Sequence, residues 1–250
     1  MLDVTIRAKG FGAVAGAPAR TVLADVAFAV AAGERVCLLG PSGCGKTTIL
    51  NLVAGLDREL DGTIRRVPGR LAYVFQEPRL LPWRTCLENV RLPLTDAGDA
   101  DGRARRWLEA MGVGEAAAVY PQRLSLGMAR RVAMARAFAV APALMLLDEP
   151  FVSLDQATAA RLRRLLVETM AREGTTVVAV SHDPAEAAML GHRVLVMGGA
   201  PATVAHVVDV PVDEAARFDV ETIAPFARAV ASASEAMCAA NDIQSQEGTT

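Results

Sequence analysis

The segment Gly40-Pro41-Ser42-Gly43-Cys44-Gly45-Lys46-Thr47 constrains what this chain can fold into more than any other. It fits the pattern GxxxxGK[ST], follows the apolar run Val36-Cys37-Leu38-Leu39, and leads through Thr48 into a helix-forming stretch. Strand, glycine-rich turn and helix are the context this pattern needs to cradle phosphate. Glycines let successive backbone N–H groups curl around phosphate oxygens, and the helix N-terminus adds partial positive charge. Lys46 is then placed to pair with the β- and γ-phosphates, and the Thr47 hydroxyl to ligate Mg²⁺.

The rest of the chain suits an α/β protein built around such a turn. At 250 residues, with 52% hydrophobic and 22% charged residues, it can bury a large core. Its formal charge of −2 and pI of about 6.0 give no basic footprint, so nucleic acid is not expected as a partner. Cys37, Cys44, Cys86 and Cys238 show no CxxC spacing, which argues against a zinc site or a disulfide framework and suits a reducing compartment. The N-terminus does not read as a secretory signal. The richest apolar stretch, 137–147, is broken by Pro142 and is far short of the ~20 residues of a bilayer span. A cytosolic chain is expected, with a peripheral position against a membrane protein left open.

Strand-like runs occur at 35–39, 71–75, 144–147, 175–180, 194–197 and 204–210. Several are apolar at every position, the habit of parallel strands covered by helices on both faces. Helical patterns fall at 47–56, 102–111, 125–139 and 156–172, the last with Leu162, Leu165, Leu166 and Met170 on one side. The order is βαβ, interrupted from about Glu77 to Pro142 by a mostly helical stretch that reads as an insertion. The chain has 24 arginines and two lysines, Lys9 and Lys46, a bias that reads as genome composition.

Leu144-Met145-Leu146-Leu147-Asp148-Glu149 is an apolar strand ending in two acids, where α/β sheets bind ligands. Asp148 can hold Mg²⁺ through water, and Glu149 can orient or deprotonate an attacking water. Between these elements stands Leu124-Ser125-Leu126-Gly127-Met128, followed by an Arg/Ala-rich helix. With these motifs in this order, residues 1–200 resemble the ATP-binding subunits of ABC transporters.

The resemblance implies a P-loop NTPase (RecA-like) fold: a mostly parallel sheet core with an inserted helical subdomain and an N-terminal antiparallel β portion. It implies an ATPase domain over 1–205, with core 1–76 and 143–205 and insertion 77–142. Residues 206–240 are then a small C-terminal extension and 241–250 a disordered tail. It further implies ATP and Mg²⁺ as ligands, with Gly40, Pro41, Ser42, Gly43, Cys44, Gly45, Lys46, Thr47 and Thr48 on the phosphates. Phe11 matches the aromatic residue that stacks on adenine, and Asp155, in Ser153-Leu154-Asp155, matches the D-loop. Gln76 matches the Q-loop glutamine that reaches Mg²⁺ and the attacking water, Glu149 the catalytic base, and His182 the γ-phosphate sensor. Taken alone, His182 and Gln76 would read as a surface histidine and a plain loop amide. His192 and His206 fall in no motif.

In this family the composite site forms when two copies meet head to tail, so Ser125 and Gly127 are expected to cap the γ-phosphate held by the partner copy. Leu126 departs from the family, which has glycine there; if that backbone needs positive φ, leucine brings strain of order 1–3 kcal/mol. Phe11 precedes an unusual Gly/Ala run from Gly12 to Ala19.

Glu77-Pro78-Arg79-Leu80-Leu81-Pro82-Trp83 looks like the segment by which nitrate, sulfonate and taurine importers dock on transmembrane permease subunits. Filling of an internal seam by Leu81 and Trp83 is the other reading of these residues. The resemblance thus implies a homodimer at the cytoplasmic face of the inner membrane, with a solute-binding protein as indirect partner. A soluble non-transport ABC-type ATPase and an importer of another cargo class are the alternatives.

Overall fold

The computed structural model describes residues 1–12, 19–66, 68–94 and 98–247, so most of the Gly/Ala run after Phe11 lies outside the described residues. In chain order the elements are β1 (Leu2–Phe11), β2 (Arg20–Val30), β3 (Arg35–Leu39), α1 (Lys46–Ala54), β4 (Asp61–Arg65), β5 (Leu71–Val74), α2 (Cys86–Arg91), α3 (Ala100–Ala110) and α4 (Leu126–Ala139). There follow β6 (Leu144–Asp148), α5 (Gln156–Glu173), β7 (Thr176–Ser181), α6 (Pro184–Leu190), β8 (Arg193–Gly198), β9 (Thr203–Asp209) and α7 (Val220–Glu247). They form two compact units, Met1–Val67 with Thr176–Thr250, and Pro68–Thr175.

In the first unit β3 lies between β7 and β8 and runs parallel to both, while β9 pairs antiparallel with β8. Every residue of β3 and β7 is buried, which is why these strands carry apolar residues on both faces rather than alternating. The edge strand β9 is largely exposed or half-buried along its length. A separate antiparallel sheet has the order β2-β1-β4, with Leu2, Val4 and Ile6 facing inward. The register pairs Leu39 with Ser181 and with Val196, so the carboxyl ends of the central strands are level. The N-terminal antiparallel portion and the parallel core are thus both present.

The C-terminal extension packs on this unit. A Cβ at Gly198 would stand 1.4 Å from Met237 Sδ, so β8 lacks a side chain where α7 seats its methionine. Arg217, fully buried, donates to the carbonyls of Ala188, Gly191 and Val210, and Glu214 binds Arg35 at 2.7 Å. The backbone of α7 continues helical to Glu247, through most of the polar tail read as disordered; residues 248–250 lie outside the described residues.

In the second unit β5 and β6 are parallel, with Val74 opposite Leu147. The helices α2, α3 and α4 pack together through buried Val90, Leu108, Val132 and Met134, and Trp107 stacks on Phe138 at 5.1 Å between ring centroids. The boundaries at Pro68 and Thr175 lie outside those expected for the insertion, because the unit also takes in β5, β6 and α5.

His192, which has no motif, is a structural hub. The Arg35 backbone N–H donates to its Nδ1 at 3.2 Å, and Nε2 stands 3.0 Å from Glu214 Oε1. A second ring proton would face the Arg35 N–H. Burial, together with the charges of Arg35 and Arg217, outweighs the Glu214 hydrogen bond and holds the imidazole below its ordinary 6.5. The unfolded chain therefore takes up this proton at higher pH than the folded one, so the contribution to stability is complete above pH 6.5 and is lost as pH falls. Glu214 acts in the same direction at lower pH: burial opposes its ionisation, but hydrogen bonds from His192 and Arg35 prevail and hold it below its ordinary value. We predict that the melting temperature falls from pH 7.5 to pH 5.5 and that His192→Asn flattens this dependence; an unchanged slope in the variant would remove His192 from the account.

Candidate nucleotide-binding site

In the first unit the phosphate loop follows buried β3. A Cβ at Gly40 would stand 2.7 Å from the Met197 carbonyl oxygen of β8, so only glycine fits there. Gly45 caps α1 with φ 96°, and its missing Cβ would meet Leu23 Cδ2 at 2.6 Å. The first turn of α1 carries no acidic residue, which leaves the N–H groups and partial positive charge of the helix start for an anion. Lys46 is buried, and its Nζ donates to the Gly40 and Pro41 carbonyls at 2.8 Å each. Pro41, Ser42, Gly43 and Thr47 are exposed and Thr48 is half-buried. Cys44 Sγ lies 3.9 Å from Lys46 Nζ, and burial pushes this thiol up.

His182 follows Ser181, the residue opposite Leu39, so it leaves its strand level with the start of the phosphate loop. Ser181 Oγ donates to Glu186 and accepts the Asp183 N–H at 3.1 Å, which fixes the turn that carries His182. Phe11 closes β1 half exposed, with Lys9 Nζ 4.7 Å from its ring centroid.

In the second unit the pairing of Val74 with Leu147 brings Gln76 beside the acids. Gln76 Nε2 donates to Glu149 Oε2 at 3.4 Å. Asp148 is buried, and the Tyr73 hydroxyl donates to its Oδ2 at 3.5 Å; burial and this carboxylate raise the phenol's pKa. Glu149, the second of the acids, has φ 44° and Ser153, four residues on, φ 61°; both are non-glycine residues in the left-handed region, a conformation that costs about 1–3 kcal/mol. Buried Arg130 of α4 donates to the carbonyls of Pro150 at 3.3 Å and Gln76 at 3.5 Å, joining the turn after the acids to the glutamine loop.

The segment around Ser125 differs from expectation at one residue. Ser125 is the N-cap of α4, its Oγ accepting the Met128 N–H at 3.2 Å, and Leu126 is the first residue of the helix. Its φ is not positive, so no strain attaches to leucine there. Gly127 is the constrained position: a Cβ would stand 2.9 Å from Thr158 Cγ2 on α5. Asp155 caps α5, its Oδ1 accepting the Thr158 N–H at 2.9 Å, and hydrogen bonding to Thr158 holds the carboxyl below its ordinary range.

Trp83 is 70% exposed, which rules out the seam-filling reading for this residue; Leu80 and Leu81 are half-buried. The loop below it is tightly held. Fully buried Asn89 accepts the Leu81 N–H at 2.7 Å and donates to the Leu81, Arg84 and Thr85 carbonyls. Arg136 donates to the carbonyls of Arg79 and Pro78 at 2.9 Å each, and Gln122 to that of Pro82 at 2.8 Å. Sequence reasoning missed Asn89, Arg130, Arg136 and Tyr73. The one local signal was Thr85-x-x-Glu88, a capping box that sets the start of α2 and with it Asn89.

A strand, phosphate loop and helix in one unit, and a strand ending in two acids in the other, define a nucleotide-hydrolysing protein of the P-loop class. The ABC transporter family matches residues 23–152, and the chain belongs to this family as an ATP-binding, ATP-hydrolysing subunit. It is 42% identical over 210 residues to the aliphatic sulfonates import ATP-binding protein SsuB 1 of Pseudomonas syringae pv. syringae, covering 82% of this chain and 84% of that one. It is 45% identical over 178 residues to SsuB 2 of Paracoccus denitrificans, covering 71% and 72%. Among solved structures it is similar to a dimeric ATP-binding cassette in a post-hydrolysis state bound to ADP and Pi, at TM-score 0.75 and 28% identity, covering 85% of this chain and 100% of that one.

Two substitutions test this local geometry. Leu126→Gly relieves no strain and lowers unfolding free energy by up to about 1 kcal/mol; a stabilised variant in denaturant titration would contradict the helical φ. Asn89→Ala strands the Leu81 N–H and removes the amide donors shared by the Leu81, Arg84 and Thr85 carbonyls, costing about 2–4 kcal/mol by the same measurement.

Proposed function

We propose that the chain powers a bacterial importer of aliphatic sulfonates or a closely similar small solute. The observation that carries this reading is the 42% identity over 82% of the chain to aliphatic sulfonates import ATP-binding proteins. In this reading two copies work head to tail on two transmembrane permease subunits, peripherally at the cytoplasmic face of the inner membrane, and a solute-binding protein delivers the cargo. Among the described residues no helix is long and apolar enough to cross a membrane.

The phosphate loop holds ATP through its backbone N–H groups and Lys46, and Phe11 contacts the base. Thr47, Asp148 and Gln76 offer a hydroxyl, a carboxylate and an amide oxygen, the hard oxygen donors that suit Mg²⁺, and the ion would neutralise charge on the transferring phosphoryl group. Glu149 accepts the proton of the attacking water, Gln76 helps place that water, and His182 senses the γ-phosphate. Ser125 and Gly127 at the start of α4 cap the nucleotide of the partner copy, and the loop before α5 with Asp155 lies along that interface. Exposed Trp83 on its clamped loop supports the docking of Pro78–Trp83 against the permease. We assign the ATPase domain to 1–205, with insertion 77–142, and a small extension to 206–240. ATP binding favours the closed dimer and hydrolysis reopens it, so nucleotide state selects between two transporter conformations.

Glu149→Gln is expected to keep ATP binding and lower turnover by ~10²–10⁴, the usual worth of general-base catalysis; wild-type turnover would refute this role. Trp83→Ala is expected to leave ATP binding intact and to weaken co-purification with the permease from mild-detergent extracts. A soluble partner in place of a polytopic membrane protein would overturn the importer reading itself.

A further inference from the structure

Strand β1 begins with Leu2, Val4 and Ile6 facing inward at period two, a pattern that would turn Lys9 outward. Lys9 is instead 2% exposed. The register against β4 shifts between Ile6 and Ala8, and against β2 between Lys9 and Gly10. Such bulges re-aim side chains. Here the re-aimed ammonium lies 4.7 Å from the Phe11 ring centroid and 3.0 and 2.9 Å from the two carboxylate oxygens of Asp57. Asp57 stands just past α1, with its N–H donating to the Asn51 carbonyl at 3.2 Å and its Oδ1 accepting the Glu59 N–H at 3.0 Å. The cation is thus fixed from below and covers one face of a half-exposed ring.

Burying an ammonium is costly unless it is paired, and this chain has only one lysine besides Lys46. A compact point charge fits a slot between a carboxylate and a ring better than a planar guanidinium. The cation attracts the ring quadrupole, holds the ring before nucleotide arrives, and draws π density from the far face. An ordered, electron-poorer face stacks better on a purine and loses less freedom on binding.

We propose that Lys9, anchored by Asp57, is a positioning residue that sets the Phe11 ring for stacking on the nucleobase, without touching the nucleotide. The proposal rests on the reading of Phe11 as the base-contacting ring, and its test separates the two. Calorimetric binding of MgADP is compared with that of magnesium pyrophosphate, which has no base, on the full chain. Phe11→Ala is expected to weaken ADP about five-fold or more and pyrophosphate less than about two-fold. Lys9→Met is expected to weaken ADP about three- to ten-fold with pyrophosphate again spared, and to add nothing in the double variant. Equal loss of both ligands in Lys9→Met, or unchanged ADP affinity beside a damaging Phe11→Ala, would overturn the role of Lys9. Unchanged ADP affinity in Phe11→Ala would overturn the base-contact reading, and the proposal with it. Where Lys9→Met fails to fold, Asp57→Asn keeps the lysine and loosens its anchor; base-selective loss is expected, and full ADP affinity overturns the proposal.

Discussion

Parallel pairing of buried strands is the constraint on which the nucleotide site depends. Because β3 has neighbours on both sides and no face in water, its register against β7 and β8 cannot slip by one residue without moving buried side chains. That register makes the strand ends level. The phosphate loop and His182 then emerge side by side, and in the second unit the same rule sets Gln76 beside Glu149. Two pairs of segments far apart in sequence, the phosphate loop with His182 and Gln76 with Glu149, become neighbours through the backbone hydrogen bonds of the strands that carry them.

The loops at these strand ends are held by side chains that bind main chain rather than ligand. Arg130, Arg136 and Asn89 each donate to two or more backbone carbonyls. A long polar side chain buried against carbonyls satisfies groups that would otherwise be stranded, and it stiffens a loop without making it apolar. Exposed Trp83 stands on such a support, and the glutamine loop shares Arg130 with the turn after the acids. Arg130 and Arg136 thus tie both loops to α4 within one unit.

The C-terminal extension shows the same use of buried polar groups. Arg35, His192, Glu214 and Arg217 form one connected cluster at the amino-terminal ends of β3 and β8. Arg217 is so enclosed that its pKa is pushed down to about 10, chiefly by burial. Part of the stability of this segment is thereby tied to the protonation of one histidine.

Much of the site was legible in the sequence because phosphate chemistry is short-ranged. Eight successive residues from Gly40 to Thr47 specify a turn, a cation and a hydroxyl, and Leu144–Glu149 specifies a buried strand with acids at its end. The continuous apolar runs likewise marked strands buried on both faces, the habit of parallel sheets covered by helices, since such burial leaves no place for polar alternation. Tertiary structure alone decided the rest. Leu126 is free of strain because Ser125 starts the helix one residue earlier, and Gly127 is needed because α5 passes 2.9 Å from where its Cβ would be. Lys9 faces inward because the register shift against β4 between Ile6 and Ala8 breaks its alternation. Each of these turns on a partner that is distant in sequence, and local patterning carries no record of how closely two elements will approach.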